Sequence, residues 1–109
     1  MIDEAAASDA LIALFRSGVW HWQILVGVAD AMSSAGRKRL DIVNFFWHLL
    51  NASPPYLTEE QIDVVDEFVK CLLGYCHVEH SIRLQGDPED PVELYGFVAA
   101  EAATWKPPS

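Results

Sequence analysis

Residues 37–51 read RKRLDIVNFFWHLLN, and this stretch decides the fold class. Its polar residues recur at spacings of four, three, four and three, at Arg37, Asp41, Asn44, His48 and Asn51. Apolar side chains fill most of the positions between them. This period is typical of a helix with a narrow polar edge and a wide apolar face. The sequence therefore predicts a helix over 37–52 whose apolar face must be covered by other parts of the chain.

The preceding stretch carries the same pattern. Polar or small residues recur at spacings of four, three and four between Gln23 and Ser34, which predicts a helix over 19–35. The two polar stripes share one phase across Gly36, so a single helix over 19–51 is an alternative. We favour a break, because the residues before this glycine are weak helix formers. A continuous helix would also be about 50 Å long, which is too long for a compact domain of this size.

Three further helices are indicated by their capping residues. Ser8 is a candidate N-cap, Thr58 is placed to form a capping box with Gln61, and Asp90 precedes a proline at the first helical position. The predicted helices run over 8–17, 58–83 and 90–104. The chain ends, 1–7 and 106–109, are expected to fray. The sequence therefore predicts an all-α fold, a single domain over 1–109 built as a bundle of four to five helices.

The charge of the chain is concentrated in its second half. Of the 109 residues 51% are apolar, and the formal net charge is −9. Residues 1–56 contain five acidic and four basic residues (net −1), and residues 57–109 contain eleven and three (net −8). Such a negative charge opposes direct binding to nucleic acid or to an anionic membrane. The large apolar content argues against a disordered chain.

The cellular compartment is inferred from the cysteines and from the start of the sequence. Cys71 and Cys76 would lie about 140° apart round a helix, so they cannot form a disulfide with each other. Acidic residues follow Met1, where a secretory signal would carry a basic and then an apolar segment. The longest uncharged run, 42–58, is interrupted by prolines and polar residues, so no membrane span is predicted. We expect a cytoplasmic protein with reduced thiols.

The strongest candidate for a metal site is formed by Cys76, His77 and His80. On a helix these side chains would lie within about a 100° arc, and thiolate and imidazole both bind zinc. Another ligand, such as His21 or His48, would have to come from elsewhere in the chain. No paired Cys-x-x-Cys motif is present. We favour buried thiols and solvated histidines, and we expect no metal and no cofactor.

No sequence motif indicates catalysis. The six glycines are scattered singly, and the sequence contains no phosphate-binding loop, no nucleophile elbow and no Glu-x-x-His pair. The carboxylates are expected on exposed helix faces, where nothing would tune them for proton transfer. We therefore expect a protein that is not an enzyme.

The run Arg37-Lys38-Arg39 is the one cluster of basic residues in the sequence. It falls at a predicted helix start, where the helix dipole disfavours cations. This makes it a candidate site for an anion or an acidic partner. The alternative is a solvated turn, or a run that neutralises the chain's own acidic residues. We favour this alternative.

The acidic residues of the second half form two groups, each at a predicted helix start. Capping and solubility explain part of this, but the contrast with the nearly neutral first half predicts a surface that binds a basic partner protein. Trp20 and Trp22 are two residues apart, so on a helix they point in roughly opposite directions and cannot both face the core. One of them is therefore a candidate interface residue. The candidate partner-binding residues are Glu59, Glu60, Asp63, Asp66, Glu67, Asp87, Glu89, Asp90, Glu93, Trp20 and Trp22.

These observations favour a small acidic helical protein that works through protein–protein interaction. One form of this hypothesis is an inhibitor that occupies the basic surface of a nucleic-acid-handling partner. Proteins of this general kind occur among phage-encoded inhibitors and immunity proteins. This comparison is an analogy and not a family assignment. The alternatives are the metal-binding protein described above and a homo-oligomeric structural subunit. Such a subunit would form a dimer through the apolar helices over 19–51.

Overall fold

Five α-helices account for most of the residues that the structure describes. The structure is a computed structural model, and it describes residues 4–18, 21–51, 57–75 and 82–106. These ranges contain no strand, which confirms the predicted all-α bundle. None of the helices in them is long and apolar enough to span a membrane. The helices are α1 (Glu4–Arg16), α2 (Trp22–Ser34), α3 (Arg39–Leu50), α4 (Glu59–Leu72) and α5 (Pro91–Ala102).

Helices α2 and α3 are separated by a glycine turn. Gly36 has a φ of +92°. The backbone N–H of Gly36 donates to the carbonyl of Ser33, and that of Arg37 donates to the carbonyl of Met32, each at 3.0 Å. This pair of hydrogen bonds is a Schellman motif, which favours a residue without a Cβ in the left-handed position. The predicted break is confirmed, and a single helix over 19–51 is not formed.

Helix α3 packs against both α2 and α4, at the centre of the bundle. Val43 and Phe46 on its inner face are fully buried. Phe46 contacts Phe68 of α4, and Phe68 contacts Trp22 of α2, both edge to face with ring centroids 5.1 Å apart. Each such pair contributes about 0.5–1.5 kcal/mol beyond the burial of its surface. The wide apolar face of α3 is therefore covered by the chain's own helices.

The starts of the first two helices differ from the prediction. Helix α1 begins at Glu4. The predicted N-cap Ser8 therefore lies inside the helix, and residues 4–7 are helical where fraying was expected. Alanine is the strongest helix former, and three alanines precede Ser8, which explains why the helix extends beyond the serine. Helix α2 begins at Trp22, after His21 in an extended conformation, and not at residue 19.

Helix α4 is shorter than the predicted helix over 58–83. It ends at Leu72, residues 73–75 and 82–83 are not helical, and residues 76–81 lie outside the described part of the chain. The helix ends because Gly74 has a φ of +80° and a second Schellman motif forms. Here the N–H of Tyr75 donates to the carbonyl of Lys70 (2.8 Å), and that of Gly74 to the carbonyl of Cys71 (3.2 Å).

The capping predicted for the last two helices is confirmed. The hydroxyl of Thr58 accepts from the N–H of Gln61, whose side chain accepts in return from the N–H of Thr58. The carboxylate of Asp90 accepts from the N–H groups of Val92 (3.1 Å) and Glu93 (3.0 Å) at the start of α5. These bonds satisfy amides that would otherwise lack intrahelical partners.

Candidate functional site

Helix α4 presents an acidic face to solvent. This α4 acidic face consists of Glu59, Glu60, Asp63, Asp66 and Glu67, which span about 120° of the helix circumference. All of them are exposed except Asp66, which is half-buried. The opposite side of the helix carries Val65, Phe68 and Leu72, which are buried in the core. Burial of that side fixes the direction in which the carboxylates point.

One cation lies beside these carboxylates. The ammonium group of Lys70 is 3.0 Å from a carboxylate oxygen of Asp66, one helical turn away. The hydrogen bond to Asp66 and the attraction of its charge raise the pKa of Lys70 above its ordinary value, with smaller contributions from Glu67 and Asp63. Lys70 therefore stays charged at neutral pH and offsets part of the negative charge of the α4 acidic face.

The second group of acidic residues lies near the start of α5, and its members have different structural roles. The group consists of Asp87, Glu89, Asp90 and Glu93. Asp87 is mostly buried and forms an ion pair with Arg39, and its carboxylate also accepts from the N–H of Leu84 at 2.8 Å. Asp90 caps α5, as described above. Glu89 is exposed and lies 3.7 Å from Arg83, and Glu93 is exposed in the first turn of α5. These residues do not form one continuous free face as those on α4 do.

Arg39, the first residue of α3, joins the end of α4 to the segment before α5. Its guanidinium donates to the backbone carbonyls of Leu72 (3.0 Å) and Ile82 (2.8 Å). It also pairs with the carboxylate of Asp87, and its Nε lies 3.5 Å from Glu101 of α5. The whole residue is only 3% exposed. A planar group with five donors suits such a set of acceptors.

The solvated turn that we favoured for the basic run is therefore wrong for Arg39, although this residue does neutralise acidic residues of the chain. Lys38 is exposed and Arg37 is half-buried. The sequence contained a signal that distinguishes buried Arg39 from its two basic neighbours. Arg39 lies on the same side of α3 as Val43 and Phe46, both fully buried, and opposite the polar stripe that begins at Arg37. A charged residue in line with core residues indicates a buried ion pair.

Trp22 contributes to packing within the chain. It is half-buried, and its ring meets Phe68 of the core. Trp20, the other tryptophan proposed as an interface residue, lies outside the described residues. So do Cys76, His77 and His80, the candidate metal ligands. Among the residues that are described, no group of three histidine, cysteine or acidic side chains is placed to hold a metal ion.

The apolar surface expected on the helices over 19–51 is largely internal. In the described part of that range, the larger apolar side chains are buried or half-buried. The large apolar side chains that are exposed lie elsewhere, at Leu14, Tyr75, Val92, Tyr95 and Phe97. Three of these five belong to α5. Most of the apolar surface on which the alternative of a dimer depends is therefore packed within the chain.

The described helices define a small all-α protein with an acidic face on α4. Comparisons with protein-family models, with curated proteins and with solved structures gave no match. The functional argument therefore rests on the surfaces themselves.

Proposed function

We propose that this protein acts by binding another protein that carries a basic surface, and that it binds through the α4 acidic face. The observation that carries the proposal is the exposure of Glu59, Glu60, Asp63 and Glu67 along one side of a helix whose other side is held in the core. A charge array on a rigid element loses little conformational freedom on binding. This favours association with a complementary surface.

The uneven charge of the chain supports the same proposal. A net charge of −8 beyond residue 57 creates a directional field that steers a positively charged partner and speeds its association. A protein surface that binds nucleic acid is positively charged in the way this proposal requires. We therefore propose that the protein is an inhibitor, which occupies that surface and excludes the nucleic acid.

The test compares two doubly substituted variants with equal charge. Asp63→Lys with Glu67→Lys changes the α4 acidic face, and Asp9→Lys with Asp30→Lys changes exposed positions on α1 and α2. Two reversals shift the formal net charge from −9 to −5 in both variants. Proteins captured from host extract by the wild-type chain are purified. Their association rates with all three forms are then measured at several salt concentrations.

We expect the α4 variant to associate about tenfold more slowly with the partner and with a weaker dependence on salt. The α1/α2 variant should stay close to the wild-type rate. Equal effects of the two variants, or no effect of either, would contradict binding through α4. For the inhibitor, a labelled DNA or RNA duplex bound by the captured partner should be released when the wild-type protein is added. Formation of a ternary complex would contradict inhibition.

A further inference from the structure

Helix α5 carries apolar residues on two sides. The side that faces the core is buried at Leu94, Val98 and Ala102. The second side is a line of small or apolar residues that are all exposed, and we call it the α5 seam: Val92, Gly96, Ala99 and Ala103. The two lines are centred about 130° apart on the helix. A helix with apolar residues round most of its circumference is normally buried round most of it, so the α5 seam is suited to contact with another molecule.

The spacing of the α5 seam fits pairing with a second helix. Its residues are separated by four, three and four positions, which is the repeat by which two helices pack along a common line. This spacing reads the same in both directions. In a second copy that runs antiparallel, Val92 therefore lies opposite Ala103, and Gly96 lies opposite Ala99. Val92, which is 73% exposed, then meets a small residue, so the seam is complementary to itself, as a two-fold contact requires.

Gly96 supports a close contact at the middle of the seam. It lies inside α5, where glycine weakens a helix relative to alanine. Its backbone is not in the left-handed region, and a Cβ placed there meets no atom within 4 Å, so nothing in the described part of the chain requires a glycine. Small residues let two helix axes approach towards the short end of the usual range of about 8–10 Å. A second helix packed on Gly96 would use the space that the missing side chain leaves.

The charges around α5 favour an antiparallel second copy over other contacts between two such chains. Each chain has a formal net charge of −9, so two copies repel each other wherever their acidic surfaces meet. The α5 seam contains no charged residue. Antiparallel pairing also brings Lys106, exposed beyond the end of α5, towards the exposed Glu89 and Asp90 before α5 of the second copy. Opposite charges would then meet at both ends of the contact.

The size of the face indicates a weak contact. The α5 seam is about 16 Å long. A standard stable interface buries about 800 Å² on each partner, which is more than one short helix offers. Tyr75 and Tyr95 extend the face, since both are exposed, and Gly74 beside Tyr75 is so close to α5 that a Cβ there would lie 3.8 Å from the backbone nitrogen of Ala99. These side chains enlarge the contact at its edge.

We propose that two copies of the chain pair antiparallel along the α5 seam and form a weak, reversible dimer. This contact differs from a dimer through the helices over 19–51, whose apolar residues are mostly packed within the chain. It also lies on a different helix from the α4 acidic face, and it does not depend on the function proposed for that face.

The test is the molar mass of the full chain in solution. Sedimentation equilibrium is measured between about 10 µM and about 1 mM protein, at about 0.15 M salt, where repulsion between the two chains is screened. We expect the mass to rise from 12.2 kDa towards twice that value as the concentration increases. The Kd of the dimer should be about 0.1 mM.

A matched pair of glycine variants places the contact on α5. Gly96→Glu puts a charge at the middle of the seam in both copies and should weaken the dimer at least about tenfold. The position is exposed and glutamate is the better helix former, so this variant should fold, which circular dichroism checks. The control is Gly27→Glu, at an exposed glycine of α2 with the same free space and the same change in charge. Gly27 lies between Gln23 and Asp30 on its side of α2, and the control should change the Kd less than about threefold.

Two double variants test the antiparallel orientation. Val92→Lys with Ala103→Glu places opposite charges across the contact and should keep the Kd within about threefold of the wild-type value. Val92→Glu with Ala103→Glu places like charges across the same contact and should abolish the dimer. In a parallel contact each residue would meet its own copy, so both double variants would lose the dimer.

Three results would overturn the proposal. A mass that stays at 12.2 kDa up to about 1 mM would show that a second copy does not cover the seam, which would then be a surface for a different protein. Equal effects of Gly96→Glu and Gly27→Glu would place the contact elsewhere. Equal loss of the dimer in both double variants would contradict the antiparallel arrangement. The variant with Asp63→Lys and Glu67→Lys should still form the dimer, so failure of this proposal is distinguishable from failure of binding through α4.

Discussion

Arg39 and Asp87 form a buried ion pair across 48 residues of sequence, between the first turn of α3 and the segment that leads into α5. Burial of two charges is costly in itself. Here the cost is offset because the guanidinium also donates to the carbonyls of Leu72 and Ile82, and the carboxylate also accepts from the N–H of Leu84. The pair therefore fixes the end of α4 and the start of the last segment relative to the central helix.

Replacing Arg39 with Met should destabilise the protein by about 3–5 kcal/mol, because Asp87 would remain buried without a counter-charge. Chemical denaturation at neutral pH measures this loss, and Lys38→Met is the exposed control. Adding Asp87→Leu to the Arg39→Met variant should recover part of the stability, since the uncompensated charge is then removed. A loss below about 1 kcal/mol for Arg39→Met would show that the pair is not important for folding.

The glycine that ends α4 should not tolerate a side chain. Gly74 has a φ of +80°, and a Cβ placed there would lie 3.2 Å from Val98 of α5. Gly74→Ala should therefore cost about 1–3 kcal/mol. The control is Gly27→Ala, at an exposed position inside α2 where a Cβ meets nothing within 4 Å. It should stabilise the protein by about 0.5–1 kcal/mol. Thermal unfolding of both variants checks the opposite signs.

We expect substitution of Trp22 to lower the stability of the fold, whatever its effect on binding. Trp22→Ala removes the edge-to-face contact with Phe68 and leaves a gap between α2 and α4, at a cost of about 3 kcal/mol. Trp22→Phe keeps a ring and should lose less than half as much. Tyr95→Ala, which removes an exposed ring from α5, is the control and should be close to neutral. If Trp22→Ala unfolds like the wild type in urea, the packing role is contradicted.

Removal of Lys70 should strengthen the proposed interaction. Lys70→Gln deletes the cation that pairs with Asp66 and makes the α4 acidic face more negative, so association with the basic partner should become faster at low salt. The denaturation midpoint should change little, because the pair is exposed to solvent. Lys106→Gln is the control of equal charge. A slower association for Lys70→Gln than for Lys106→Gln would count against the α4 acidic face.

The pH dependence of the Lys70–Asp66 pair follows from the direction in which the pKa of Lys70 is shifted. The pKa of Lys70 is raised in the folded protein. The stability contributed by the pair is therefore fully present below the unfolded value and is lost only as the pH rises through the higher folded value. Near neutral pH, the difference in association rate between Lys70→Gln and wild type should not vary with pH. A titration of the rate across neutrality checks this expectation.

The sequence by itself determined the features that depend on neighbouring residues. The 3.6-residue period of 37–51 gave the central helix, and Gly36 after weak helix formers gave the break between α2 and α3. Thr58 with Gln61 and Asp90 with its following proline gave the starts of α4 and α5. These signals involve residues at most a few positions apart, so they act within a turn of helix. The acidic residues of α4 were likewise predicted, because a buried apolar line defines the opposite side of the same helix.

The tertiary structure alone decided which polar residues turn inward. Arg39 and Asp87 were each assigned to the surface, and they meet only because α4 and the segment before α5 come together at the start of α3. The end of α4 was missed for a local reason, because the apolar pattern continues past Gly74 in the sequence although this glycine ends the helix through the same motif as Gly36. Arg39 and Asp87, in contrast, are 48 residues apart. Local periodicity carries no information on contacts between residues this far apart, and burial of charge depends on those contacts.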